Sequence, residues 1–305
     1  MQSVSRRAFF GGHRPTVNAW ERFCLQLERK TGTQLERLSN EAQAEQARFT
    51  PRTGADIHHA RDLCATYQVC MALDGVPHAT TDMDQPVLWV NPQPHLNSFE
   101  RLSSGSNQWF VQPGCLVGEL EAAGFSAFSS LPANLSVGAW LADRSCHTWA
   151  TGQTHHSGVV HASLLMAEGS VASLGLFGVS NTKPLNCATL RKLVPQLFTL
   201  TASASAALCL QTATWPGRYR LDALQPADNR ELNLAHLILG SGGDLGWVEW
   251  VVIDETQLQI PPAVASPKFA LNGDSNLQLH ASEVDAAIKQ NFDPQGVFPH
   301  PGQAL

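Results

Sequence analysis

Small residues are concentrated in one stretch of this chain, residues 131–158, which reads LPANLSVGAWLADRSCHTWATGQTHHSG. Bulky side chains are scarce between Ser136 and Ala139, so the backbone N–H groups there can approach something flat or anionic. The same pattern is also typical of a tight turn packed under a sheet. In both interpretations the backbone must come very close to a neighbour, and this restricts the folds that the chain can adopt.

Length and composition indicate a globular protein. The 305 residues suit one large domain or two smaller ones, and the 43% hydrophobic and 15% charged residues fit neither a disordered nor a fibrous chain. The formal net charge is -6, and no basic cluster follows Arg6-Arg7, so we do not expect nucleic-acid binding. No run is long and apolar enough to predict a transmembrane segment.

The cysteines are scattered along the chain. There are seven, an odd number, and none forms a C-x-x-C pair: Cys24, Cys64, Cys70, Cys115, Cys146, Cys187 and Cys209. This pattern argues against an iron–sulfur cluster, a zinc site or a disulfide framework carried by this chain. Reduced, mostly buried thiols in a cytoplasmic protein are the expectation.

The N-terminus resembles a twin-arginine export signal at Ser5-Arg6-Arg7-Ala8-Phe9-Phe10. Such a signal continues with an apolar region of roughly 7–15 residues. Here Gly11-Gly12-His13-Arg14-Pro15 leads directly into a charged amphipathic pattern. We therefore predict that the protein stays in the cytoplasm.

Helix and strand patterns alternate, which predicts α/β or α+β layering. Helical patterns cover residues 16–32, 53–67, 116–124, 184–198 and 282–290, and the polar stretch 34–46 indicates solvated helix or linker. Apolar runs predict strands at residues 69–73, 87–90, 109–111 and 247–253, and a hairpin is expected at 159–174. The low-charge run 199–214 is interpreted as core, residues 219–222 as the start of a polar segment, and the prolines at 261–267 as a linker.

Five short motifs follow one another along residues 50–305. They are Phe110-Val111-Gln112-Pro113-Gly114 with Gly118-Glu119-Leu120; Pro132 with Ser136-Val137-Gly138-Ala139; Tyr219-Arg220-Leu221-Asp222; Gly240-Ser241-Gly242-Gly243-Asp244-Leu245-Gly246; and Phe292-Asp293-Pro294-Gln295-Gly296-Val297-Phe298. Their order resembles the V-x-P-G…G-E-L, P…[ST]-V-G-G, G-Y-x-L, G-S-x-G-x-L-G and F-D-P-x-G motifs of one flavoprotein family. That family is the PCMH-type FAD-binding proteins related to vanillyl-alcohol oxidase and p-cresol methylhydroxylase.

The resemblance implies an α+β fold in which two small subdomains enclose an extended FAD. We therefore expect a PCMH-type FAD-binding domain at residues 49–255, with subdomains 49–112 and 113–255. An N-terminal helical segment (1–48) precedes it, and a linker, short helix and C-terminal tail (256–305) follow. So little chain remains that we expect little or no substrate cap domain, as in short flavin-binding subunits such as the small FAD subunit of glycolate oxidase.

The resemblance also assigns cofactor-binding positions. The loop that wraps the FAD pyrophosphate corresponds to Gly75, Val76, Pro77, His78, Ala79 and Thr80. The flavin and adenine ends correspond to Pro132, Ser136, Val137, Gly138, Ala139, Gly158 and Val160. The expected cofactor is non-covalent FAD. No metal site is predicted, and no catalytic base can be named because the family's base comes from the cap region.

This sequence departs from the family at the pyrophosphate loop, where R-G-x-G-[TSH] is usual. Pro77 has no N–H to donate, and Asp74 brings a negative charge towards a dianionic group. Each lost hydrogen bond to a charged group is worth about 1.5–3 kcal/mol, so losing two weakens binding by on the order of a hundredfold. In addition, Ala139 stands where a second glycine is usual, and Asp143-Arg144 replaces a run of small residues.

Two functions remain open, together with a third interpretation. The first is an FAD-dependent oxidoreductase, a subunit of a 2-hydroxy-acid (glycolate- or D-lactate-like) dehydrogenase assembly that oxidises a small-molecule substrate and passes electrons to an iron–sulfur or second flavin subunit. The second is a flavin-less subunit of the same fold with an assembly or regulatory role, favoured by the altered loop at residues 74–77. The third is an unrelated α/β binding protein, for which the ordered motifs would be coincidence.

The histidines allow two sharper hypotheses. His78 lies in the loop where relatives with covalent flavin carry the attached histidine, although an ordinary loop histidine is the simpler interpretation. His147, His155, His156 and His161 lack the fixed spacing of a metal site, so solvated or flavin-facing side chains are expected there.

Overall fold

The computed structural model describes residues 18–38, 44–76, 85–178, 185–261 and 275–300. Its strands form one mostly parallel and one antiparallel sheet, with a separate two-stranded ribbon. We call the first sheet with its helices the parallel lobe, and the second with its helices the antiparallel lobe. The mixture of helices and sheets confirms the α+β prediction at this coarse level.

The parallel lobe contains four strands in the order β1-β2-β4-β3. Their bounds are β1 Glu36–Leu38, β2 Gln46–Phe49, β3 Cys70–Leu73 and β4 Val87–Val90. Strand β4 pairs in parallel with β2 and β3, and β1 pairs antiparallel with β2 at the edge. The prediction of helix or linker over residues 34–46 is therefore wrong for β1, because an edge strand tolerates exposed polar side chains on both faces.

Two helices pack together beside this sheet: α1 Ala19–Thr31 and α2 Gly54–Tyr67. The Asn18 side chain caps α1 by accepting a hydrogen bond from the Glu21 backbone N–H. The helix buries Trp20, Phe23 and Leu27 on one face, as its apolar spacing predicts. Thr53 is the N-cap of α2, which confirms the predicted start of that helix.

The antiparallel lobe contains a five-stranded sheet in the order β5-β6-β11-β7-β8. Its strands are β5 Phe99–Arg101, β6 Gln108–Val111, β7 Val159–Leu165, β8 Val171–Leu174 and β11 Trp247–Asp254. Strands β7 and β8 form the predicted hairpin. The two-stranded ribbon joins β9 Leu176–Phe177 to β10 Leu232–Asn233. The chain changes sheet between Val90 and Phe99, and the subdomain boundary at 112/113 stays a prediction.

Helices cover one face of the antiparallel sheet and form a core with it. They are α3 Val117–Ala122, α4 Val137–Ala142, α5 Ala188–Thr201, α6 Ala204–Leu210 and α7 Ser275–Phe292. Helix α7 begins before the predicted range 282–290. The interpretation of residues 199–214 as core is only partly right, since Leu208 on α6 is 40% exposed. The opposite sheet face, which we call the outer face, carries the partly exposed rings of Phe110 and Trp250.

The two lobes are in direct contact. A second buried cluster contains Phe49, Ile57 and Leu88 of the parallel lobe together with Leu165 and Trp247 of the antiparallel lobe. Phe298, near the C-terminal end of the described chain, completes the contact. Apolar side chains therefore run from one lobe into the other without an intervening groove at these residues.

Among the described residues, no single helix has both the length and the apolar composition to cross a membrane. Helices α5 and α6 meet those criteria only when taken together, and they are bent by 72° relative to each other.

Candidate functional site

The glycine turn, residues 136–139, starts helix α4. Ser136 has extended backbone angles and is the N-cap, and its Oγ accepts a hydrogen bond from the Ala139 N–H at 3.1 Å. All of these residues are buried, and the turn lies at the boundary between the two lobes, where Ala139 belongs to the shared apolar cluster. The small side chains thus coincide with a helix start inside the molecule.

The N–H groups of the turn already have acceptors in the chain. Val137 N–H donates to the carbonyl of Cys115 at 2.9 Å, and Gly138 N–H donates to the carbonyl of Pro113 at 2.8 Å. A Cβ on Gly138 would lie 3.0 Å from the carbonyl oxygen of Pro113, which is tighter than ordinary contacts. Glycine is needed here because another backbone segment passes against it. A ligand could use these donors only if the internal hydrogen bonds were broken.

Very little space remains between the lobes at this turn. The junction cavity, bounded by Leu73, Gly138, Gly243, Trp247 and Phe298 among others, has a volume of about 20 Å³. That is room for one water molecule, whereas ligand pockets usually enclose hundreds of cubic ångströms. Leu73 of β3 lies directly against residues 240–246, which we call the glycine-rich loop, since a Cβ on Gly243 would be 3.3 Å from the Leu73 Cβ. The described residues at this junction therefore do not fit an extended FAD.

The start of the predicted pyrophosphate loop lies at the end of β3. Gly75 adopts φ +86° in an exposed turn, and its N–H donates to Oδ1 of Asp74 at 3.0 Å. The other Asp74 oxygen accepts a hydrogen bond from Nε of Arg48 at 2.7 Å, so its charge is paired. Val76 is buried. Pro77, His78, Ala79 and Thr80 lie outside the described residues, and their predicted role stays a prediction.

The remaining predicted residues are Pro132, Gly158 and Val160. Pro132 is exposed, with its carbonyl accepting from the Leu135 N–H at 3.0 Å. Gly158 precedes β7 with φ +65°, and a Cβ there would lie 2.6 Å from the carbonyl oxygen of Asp254. Val160 faces a cavity on the outer face. Since Trp247 pairs with Leu165 and Val252 with His161, roughly 15 Å of strand separates Val160 from the junction. No cavity described here brings Val160 and the glycine turn together.

The motif at residues 219–222, interpreted from the sequence as the start of a polar segment, is itself buried. Arg220 and Asp222 are both fully buried and form two hydrogen bonds, of 2.9 and 2.7 Å. Asp222 also accepts from the Gly152 N–H at 2.8 Å. The Tyr219 hydroxyl donates to Asp244 at 3.1 Å, and that carboxylate also binds Arg218 at 2.6 Å. Charged groups are buried in proteins only when they are paired in this way. The motif therefore links buried segments inside the antiparallel lobe.

Arg144 occupies the place where the family has small residues. It is buried, and its guanidinium donates to the carbonyls of Trp215 and His147. Burial and the nearby Arg220 lower its pKa to about 9. A Cβ on Gly240 would lie 2.7 Å from the Arg144 side chain, so Arg144 packs tightly against the glycine-rich loop. The space that small residues would leave open is filled by a cationic side chain.

The histidines singled out in the sequence lie in different environments. His147 is fully buried, Nε2 donates to the carbonyl of Trp140 at 2.8 Å, and burial lowers its pKa to about 3. The expectation that it is solvated or flavin-facing is therefore wrong. His155 and His156 stack with ring centroids 4.1 Å apart, and His161 lies on the outer face. Among the described residues no three His, Cys, Asp or Glu side chains are grouped to hold a metal ion.

Two adjoining cavities open on the outer face of the antiparallel sheet, and we call them together the outer cavity. One has a volume of about 350 Å³ and the other about 300 Å³, and they share Gln108, Val160 and Leu176. Three of the lining residues stood out in the sequence: Val160, predicted to contact the cofactor, and His155 and His161, expected to be solvated or flavin-facing. The sequence signal that could have revealed this site is the alternation of side chains along β6 and β11. It puts the aromatic residues Phe110 and Trp250 on the exposed face of the sheet, where polar residues are usual.

No family model matches this chain, and no curated protein matches it either. Two solved structures of alkyldihydroxyacetonephosphate synthase, in crystal forms P212121 and P1, are similar to it with a TM-score of 0.38 each. Their sequence identities are 14% and 13%, and each match covers 69% of this chain. The matched part is only 32% of the length of either synthase chain.

Proposed function

We propose that this chain is a flavin-free subunit with a PCMH-type fold and an assembly or regulatory role. The observation that carries the proposal is the contact between the lobes at the glycine turn, where only about 20 Å³ remains. In the family that the sequence motifs resemble, FAD lies between the two subdomains. Here Leu73, Trp247 and Phe298 occupy the corresponding junction.

Two further features support this proposal. The N–H groups of Val137, Gly138 and Ala139 have acceptors in the chain at 2.8–3.1 Å, so binding an anion would cost three existing hydrogen bonds. Arg144 replaces small residues and packs against Gly240. Opening a groove would require the shared apolar cluster to separate, which exposes buried surface to water.

The decisive experiment is an absorbance scan of the natively purified protein between the near-ultraviolet and the blue, followed by titration with FAD. We expect a colourless protein whose melting temperature does not change with added FAD, because a ligand that binds only the native state would raise it. Flavin bands in the native protein, or saturable stabilisation by FAD, would overturn the proposal. Colour that remains on the denatured chain would additionally indicate covalent flavin at a residue such as His78.

The second candidate function is the FAD-linked one, in which the chain serves a 2-hydroxy-acid dehydrogenase assembly. The five ordered motifs favour it, and so does Gly75, which has a positive φ in an exposed turn where the family's pyrophosphate loop begins. It requires bound flavin and a partner that accepts electrons. Native co-purification tests the partner: an iron–sulfur or flavin spectrum in a complex of defined mass supports this function, and a chain that purifies alone and colourless contradicts it.

A further inference from the structure

One strand irregularity places two consecutive side chains at the outer cavity. In the pairing of β7 with β11, Val252 lies opposite His161 and Ile253 lies opposite Val159, so Val160 is an extra residue, a β-bulge. Val159 and Ala162 both pack in the helix-covered core. The two residues between them, Val160 and His161, therefore both face the outer cavity, as its lining shows. Bulges of this kind commonly direct side chains towards sites.

One half of the outer cavity has an aromatic wall. The ring centroids of Phe110 and Trp250 lie 5.5 Å apart, and the His161 ring lies 5.3 Å from that of Trp250, tilted by 36°. His161 Nε2 is also within hydrogen-bond distance, 3.1 Å, of the Ser173 hydroxyl. The wall is thus held in place by the sheet and by these contacts. The cavity in front of it, about 350 Å³, is large enough for a flat two-ring molecule.

The other half contains polar groups without partners. The Arg230 guanidinium has no hydrogen bond or ion pair with any described residue, although Glu231 lines the same cavity. Nδ1 of His155 is buried and has no hydrogen-bond partner in the described part of the chain. Burial lowers the pKa of His155, so its ring is neutral and has one N–H to donate. By contrast, His236 and Asn233 are committed to the backbone around Val159.

We propose that the outer cavity binds an aromatic carboxylate, with the ring against Trp250 and Phe110 and the carboxylate near Arg230. Gln108, which lines both halves, lies where the two parts of such a molecule join. An arginine fork matches the geometry of a carboxylate, and the exposed Arg230 lines the half that adjoins the aromatic wall, so the two halves fit a molecule that has both features. This inference concerns the outer face and does not depend on whether the lobes hold flavin.

The test is calorimetric titration of the full-length protein with 2-naphthoate and, as a neutral isostere, 2-naphthamide. We expect saturable binding of 2-naphthoate at one site per chain, and at least about tenfold weaker binding of the amide, since a charge-assisted hydrogen bond is worth about 1.5–3 kcal/mol. Arg230→Gln should weaken 2-naphthoate by a similar factor and leave 2-naphthamide unchanged. Arg191→Gln, at an exposed arginine on α5 that lines neither half of the outer cavity, is the matched control and should change neither.

The aromatic half is tested separately by Trp250→Leu, which should weaken both compounds, with circular dichroism to show that the variant folds. No saturable binding of 2-naphthoate would overturn the proposal. Equal binding of acid and amide, unaffected by Arg230→Gln, would overturn it as well. These outcomes are independent of the absorbance scan, so failure of one proposal can be told from failure of the other.

Discussion

His236 illustrates how burial decides what a titratable residue does in this protein. The ring is 6% exposed, Nε2 donates to the carbonyl of Val159 at 2.9 Å, and Nδ1 lies 3.0 Å from the Thr154 hydroxyl. Both ring nitrogens are therefore used by the neutral imidazole. Burial lowers the pKa of His236 to about 4. The residue fixes the segment before β7 and is not available to a ligand.

This lowered pKa predicts a pH dependence of stability. Unfolded His236 takes up a proton near pH 6.5, whereas the folded residue resists protonation until about pH 4. The contribution of His236 to the free energy of unfolding is therefore fully present above pH 6.5 and is lost as the pH falls towards 4. Between pH 7 and pH 5 we expect a loss of about 2 kcal/mol from this residue, measured as the free energy of unfolding in urea.

His236→Asn, which cannot titrate, should be less stable at pH 7 but should lose less on acidification than the parent protein. The matched control is His95→Gln, at an exposed histidine, whose pH profile should parallel the parent. Asp244 and Asp285 act in the opposite direction, because burial raises the pKa of each to about 6. Both carboxylates are present in the variant and in the parent, so the difference between the two pH profiles of stability reports on His236. Identical profiles for His236→Asn and the parent would contradict the prediction.

At the scale of elements, a single extra residue in β11 determines which side chains enter the core. Val248 pairs with Leu164 and Trp250 pairs with Ser163, which leaves Glu249 as a bulge. Val248, Val251 and Ile253 pack against the helix-covered core. Without the bulge, alternation of side chains backwards from Ile253 would put Glu249, and not Val248, on the core face. Instead Glu249 accepts from the Ser163 hydroxyl at 2.7 Å and lies 2.9 Å from His58 of α2.

Deleting Glu249 should therefore be tolerated, because the remaining residues keep their faces in a regular strand. We expect a loss of about 1–2 kcal/mol, from the hydrogen bond to Ser163 and the partly exposed pair with His58. Deleting Val248 instead gives a chain of the same length but sets Glu249 opposite Leu164, in the core, at a cost of several kcal/mol. Urea unfolding of both variants measures the difference. Equal stability of the two deletions would show that the bulge does not set the register.

At the scale of the whole molecule, the lobes are expected to unfold together. Trp247 is on β11 of the antiparallel lobe, is 5% exposed, and packs in the cluster that contains the core of the parallel lobe. Arg61 of α2 strengthens the same contact by donating to the carbonyl of Ala167 at 3.2 Å. Neither lobe can separate without exposing this apolar surface, so its burial couples the two.

Trp247→Ala tests this coupling. Removing a buried tryptophan typically costs about 3–5 kcal/mol, and here the loss should appear in one cooperative transition that includes both lobes. Trp250→Ala, on the partly exposed outer face, should cost less. Thermal unfolding followed by far- and near-ultraviolet circular dichroism detects whether the transitions coincide. Two separate transitions in the parent protein, or an equal loss for both variants, would contradict direct lobe contact.

The sequence by itself determined the local features. Apolar spacing and capping residues predicted α1 and α2, the short strands β3 and β4, and the β7–β8 hairpin, because these depend on neighbours a few residues away. It also indicated that the backbone at Ser136–Gly138 passes close to a partner. The small residues there are explained equally well by a ligand or by another strand, so the pattern alone could not distinguish the two.

Only the tertiary structure decided what that close partner is. Pro113 and Cys115 meet the turn from a segment more than twenty residues earlier, and Leu73 and Trp247 meet at the junction from distant strands. Likewise, the burial of Tyr219–Asp222 depends on Gly152 and Asp244, which bind Asp222 and Tyr219 and are far away in sequence. The periodicity of a sequence shows which residues are apolar. Whether the space between the two lobes is filled depends on side chains that come into contact only when the chain folds.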